Sequence, residues 1–101
     1  MIEIRKIVLD VLKPHNPGIT PLAKRLASIN GIEGVNISVY EMDKEVENVK
    51  ITIEGRLLET ERISEVISDA GGSIHSTDEV VVGKKMVEEG ETLQERHQER
   101  K

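Results

Sequence analysis

Between Ile4 and Lys13 the chain places Ile7, Leu9 and Val11 at odd positions and Lys6, Val8, Asp10 and Leu12 at even ones, the period of two that predicts a strand with its odd face in the core. All three prolines then fall between positions 14 and 21, in KPHNPGITP, where fixed φ angles and missing amide donors make a stiff loop. Thr20 followed by Pro21 reads as the cap and first residue of a helix, in which Leu22, Leu26 and Ile29 recur at i, i+4 and i+7. Asn30-Gly31 ends it. From Gly34 the alternation returns, with Val35, Ile37 and Val39 opposed to Asn36, Ser38 and Tyr40, and after the polar stretch EMDKEVEN it returns once more as Val49, Ile51 and Ile53 against Lys50, Thr52 and Glu54. Gly55 closes this third strand. Ile63, Val66, Ile67 and Ala70 then stand at helical spacing in a helix of about 11 residues stopped by Gly71-Gly72, and a fourth strand is expected from Ser73 to Val82.

The order is βαββαβ, two repeats of strand, loop, amphipathic helix, glycine and strand. It predicts an α+β, ferredoxin-like fold: a four-stranded antiparallel sheet with both helices on one face, as right-handed crossovers require. By parity the other face carries Lys6, Val8, Asp10, Leu12, Ser38, Tyr40, Lys50 and Thr52, and leaves Val8, Leu12 and Tyr40 half-exposed unless something covers them. Residues 1–84 form the expected domain. Residues 85–101 read as a charged tail, a frayed helix or disordered, because Val87 and Leu93 are its only large aliphatics.

Composition narrows the function. At 101 residues, with 37% hydrophobic residues and Tyr40 the only aromatic, the chain has room for one domain with a thin Ile, Val, Leu and Ala core, and burial against another subunit is a natural supplement. No cysteine is present, so disulfides, thiolate catalysis, Fe–S clusters and Cys-ligated zinc are excluded, and no redox cofactor is expected. The formal charge of −5 opposes the phosphate attraction that drives nucleic-acid binding, and the single aromatic leaves no stacking platform for bases. Nucleic acid and membrane are therefore not expected partners. No stretch reads as a signal peptide or bilayer span, which makes a cytoplasmic location the expectation. Residues 84–101 hold five basic and five acidic residues, so the whole of the −5 lies on residues 1–83.

The segments LDVLKPHNP (Leu9 to Pro17), GVNI (Gly34 to Ile37), ENVKITIEG (Glu47 to Gly55) and GGSIHSTDEVVVGK (Gly71 to Lys84) resemble those of a small archaeal family, domain of unknown function 211. The resemblance spans nearly the whole domain and implies a ferredoxin-like fold and homo-oligomeric assembly, with no established activity. A looser similarity links Pro17, Gly18, Leu22, Leu26 and Gly34 to ACT domains, and implies binding of an amino acid or other small metabolite at a subunit interface.

Three clusters invite chemistry. Glu41, Asp43, Glu45 and Glu47 alternate around the expected hairpin, an oxygen-only set suited to Ca²⁺ or Mg²⁺. Neighbours on one face of a strand lie about 6.6–6.8 Å apart, so an ion needs a curled hairpin or two hairpins from different subunits, and otherwise this is a solvated acidic turn. Lys13, His15, Asn16 and Gly18 precede a helix N-terminus, whose free N–H groups favour an anionic small molecule; a plain structural turn uses the same residues. His75 and Asp10 form a candidate acid–base pair across the open sheet face. In HSTDE, however, alternation sends His75 and Thr77 to one side and Ser76 and Asp78 to the other, so no relay assembles, and an ion pair of these groups with Lys6 or Lys50 is the plainer reading. The GXXG of Gly31 to Gly34 is explained by helix termination, since Glu33 opposes phosphate. His97 lies in the tail without a partner at metal spacing. The expectation is a non-enzymatic homo-oligomer with a divalent-cation site at the hairpin, and the alternative is a metabolite-binding regulatory module.

Overall fold

The computed structural model describes residues 2–92. Its elements are β1 (Ile4–Pro14), α1 (Ile19–Ala27), β2 (Ile32–Met42), β3 (Val46–Gly55), α2 (Thr60–Asp69) and β4 (Ser73–Val82), the βαββαβ order that the periodicity predicts. The sheet order is β2-β3-β1-β4 and every neighbouring pair is antiparallel. β1 and β3 are central and form the middle of the core. Ile7 pairs with Ile53, Leu9 with Ile51 and Val11 with Val49, so directly opposed side chains share one face and lie under the helices. From above, α1 inserts Leu22 and Leu26 and α2 inserts Ile63, Val66 and Ile67, all buried.

Two expectations about burial and capping are corrected. Gly18, not Thr20, is the cap of α1: its extended backbone (φ −71°, ψ 176°) starts the helix and its carbonyl accepts from the Leu22 amide at 3.3 Å. The helix therefore begins at Ile19, and Thr20 stands exposed inside its first turn. Val8, expected half-exposed, is only 7% exposed although it lies on the face away from the helices. Thr52 and Glu79 flank it on the neighbouring strands, and the Lys6–Glu79 ion pair (3.1 Å) closes beside it. Val81, opposite Lys6, is buried on this same face, so a small apolar patch exists there apart from the main core. Leu12 and Tyr40 are exposed, as parity predicts.

β4 departs from simple alternation. Its register with β1 shifts between Val8 and Leu9 and again between Asp10 and Val11, which leaves Asp78 and His75 without paired positions. Each extra residue resets which side chain faces the helices. Ile74 and Thr77 consequently pair with core residues Val11 and Leu9, three positions apart rather than two.

Of the expected tail, residues 85–92 carry neither helix nor strand, and residues 93–101, His97 among them, lie outside the described residues. Among the described residues no helix is long and apolar enough to cross a membrane.

Candidate functional site

The phase of β1 does not end with its aliphatic residues. Lys13 continues the odd face of Ile7, Leu9 and Val11, and Glu47 continues the face of Val49, Ile51 and Ile53; the two are paired across the β1–β3 ladder. Both are buried, Lys13 at 1% and Glu47 at 5% exposure. A charge in such surroundings must be paired and hydrogen-bonded. Lys13 Nζ lies 3.5 Å from Glu47 Oε1 and donates to the Pro14 carbonyl at 2.8 Å. The remaining partner comes from the loop after β1, where His15 Nδ1 lies 3.2 Å from the same Glu47 oxygen. On the other side of the ring, Nε2 faces the Asp43 carbonyl at 2.9 Å and the Lys44 carbonyl at 3.1 Å. The hydrogen bond to Glu47, then that to the Asp43 carbonyl, raise the imidazole pKa above its usual value, while partial burial opposes them. Two clusters that look separate in the sequence, the Pro-rich loop and the acidic hairpin, are thus one site at the end of the sheet.

The site takes its members from both clusters and leaves others out. Asn16 is exposed in the loop, where its peptide bond to Pro17 is cis, and Gly18 opens α1 beyond it. The four hairpin acids do not converge within one copy. Glu47 turns toward Lys13 and His15; Glu41 pairs with Asn48 in the row of the opposite face, the row of Leu12. The Asp43 carboxylate folds back to accept from the amides of Glu45 (3.2 Å) and Val46 (3.4 Å), which shapes the turn, and Glu45 is exposed. Among the described residues no three His, Asp or Glu side chains stand close enough to hold a metal ion.

The open face makes a different connection from the one its sequence suggests. Asp10 accepts a hydrogen bond from the Tyr40 hydroxyl, reaching across β3, and its neighbour on β4 is Ser76. Asp10 raises the phenol pKa, chiefly through this hydrogen bond, with the charge of Asp78 adding to it. Ser76 donates to Asp78 at 2.6 Å. His75 stands exposed at the register shift beside Ser76, and the hydrogen bond that Asp10 accepts comes from Tyr40. Lys6 is engaged by Glu79 rather than by Asp10. At the far end of the sheet Glu3 pairs with Arg56 and, at 3.6 Å, with Arg5, and the Arg56 hydrogen bond holds its carboxyl below the usual range. Sequence reading missed the Lys13–Glu47 pair and the Glu3 pair. For the first a signal was available, because both residues fall in phase with a core face; for Glu3 none was, since Arg56 lies beyond the strand that brings it near.

A ferredoxin-like domain with a buried, charged cluster at one end of its sheet is the class that these observations define. Sequence comparison is more specific. The profile of the DUF211 family, described as Uncharacterized ArCR, matches residues 5–96, and the chain belongs to that family. It is also 61% identical over 94 residues to the uncharacterized protein MJ0319 of Methanocaldococcus jannaschii, a match that covers 93% of this chain and 97% of the relative.

Proposed function

We propose that this domain is a non-enzymatic module that assembles with copies of itself through the two edge strands of its sheet. The observation that carries the reading is the incomplete cover of the helix-side face. Two helices roof β1 and β3, but at the margins the same face exposes Val39 and Met42 on β2 and Ile74 and Val80 on β4. Met42 is 61% and Val80 53% exposed, and among the described residues β2 and β4 each pair with one strand only, as the edges of the sheet. Apolar side chains beside an open strand edge are the ingredients of strand-to-strand association, and burying them adds core to a chain that has little. The metabolite-binding alternative is less well supported, because Lys13 and His15, the cations it needs near Gly18, are already engaged by Glu47.

Light scattering on the full chain at micromolar concentration tests the reading. A mass of several chains is expected, and Met42→Lys or Val80→Lys, each placing a charge on one margin, should lower it. A single-chain mass for the unsubstituted protein overturns the proposal. Adding calcium or magnesium to the same measurement tests the cation expectation, which has no converged set of carboxylates to act through in one copy.

A further inference from the structure

His15 joins two parts of the chain that are remote in sequence, and among the described residues its ring nitrogens meet acceptors on both sides: a carboxylate oxygen of Glu47 on one, the carbonyls of Asp43 and Lys44 on the other. A neutral imidazole has one N–H. Whichever nitrogen is bare then points its lone pair at an oxygen, whereas an imidazolium donates from both nitrogens and satisfies both sides. We propose that His15 is a proton-operated latch: charged, it ties the loop between β1 and α1 to the tip of the β2–β3 hairpin, and on losing its proton it releases that tip. This goes beyond self-association and does not depend on it.

The groups around the ring fit this role. From β3 comes Glu47; from β1 comes Lys13, which shares the Glu47 oxygen without contributing an acceptor to the ring. From the hairpin come Asp43, whose carboxylate is occupied by backbone amides, and Lys44. The first turn of α1 brings no acid. Apart from the latch, the tip is closed by the Asp43 amide donating to the Val46 carbonyl at 3.0 Å and by the two Asp43 carboxylate contacts. The β1–β3 pairing already ends at Pro14 and Val46, so release loosens the tip without opening the sheet. Because the folded imidazole pKa is raised, the latch is fully closed below the unfolded value of 6.5 and opens as pH climbs through the folded value.

The test is NMR on the full chain from about pH 5 to pH 9, the range that brackets an imidazole titration. The His15 ring signals are followed together with hydrogen exchange of the Asp43, Glu45 and Val46 amides, corrected for the intrinsic pH dependence of exchange. His15 should titrate above 6.5, and protection of these amides should fall several-fold through that titration while the β1–β3 ladder stays protected. In His15→Gln, which can donate to the carbonyls but carries no charge, tip protection should be lower and no longer change with pH. Titration of His15 at or below 6.5, or equal tip protection on both sides of its midpoint, overturns the proposal. Should the variant fail to fold, the wild-type titration and exchange decide alone.

Discussion

At the scale of single residues, the most consequential pair is Lys13 with Glu47, because both residues are almost entirely buried. The cost of desolvating two ions is offset here by their attraction and by the Pro14 carbonyl and His15. Removing one partner leaves the other charge uncompensated. Glu47→Leu should therefore destabilise by about 3–5 kcal/mol, the range for breaking a buried pair, whereas Lys13→Met combined with Glu47→Leu should recover most of that loss. Urea unfolding of the single and double variants checks both statements. A single variant as stable as the parent would mean that water reaches Lys13. The pair was legible in principle from parity alone. It is masked because Lys13 and Glu47 are read by residue type as loop and acidic turn, whereas the ladder reads them by phase.

At the scale of elements, the strands and helices were legible because each buries one face, and burial of one face writes a period of two or of 3.6 into the sequence. Positions where the backbone itself is irregular leave no such trace. The shifts at His75 and Asp78 in β4 and at Tyr40 in β2 insert a residue without changing composition, so nothing in the sequence signals that these three lose their paired positions, although Ser76 and Asp78 still share a side as the alternation of HSTDE predicts. Gly55 is an element-scale case in the opposite sense, a glycine that marks a close approach. A Cβ there would land on the Gly31 carbonyl oxygen, which accepts from the Arg56 amide at 2.8 Å, and would crowd the Ile32 Cα at 2.9 Å. These atoms are backbone and cannot rotate away. Gly55→Ala should cost at least the roughly 1–3 kcal/mol of an overpacked core, against a change close to zero at Gly34, where a Cβ meets open space. Thermal melts of the two variants side by side distinguish a steric requirement from a general intolerance of side chains in this region.

At the scale of the whole molecule, two properties pull against each other. The described residues form a slab 40 × 39 × 18 Å, one sheet and one layer of helices, in which half the sheet surface faces away from the helices. Such a shape gains from burying its apolar margins against a second copy. Yet residues 1–83 carry 9 basic and 14 acidic residues, so each copy approaches another with a charge of the same sign. The outcome depends on ionic strength, since screening shortens the reach of this repulsion from about 30 Å at 0.01 M salt to about 8 Å at 0.15 M while leaving the apolar contact intact. Association through the margins should accordingly be weakest at low salt and strengthen as salt is added, with the dependence reduced in variants that replace surface acids by amides. Glu33→Gln and Glu41→Gln on β2 are suited to this, because both residues are exposed and neither belongs to the buried cluster. Sedimentation of the full chain across a salt series reads the trend directly. A mass that falls with salt would instead mean that ion pairs between copies, not the apolar margins, hold the assembly together.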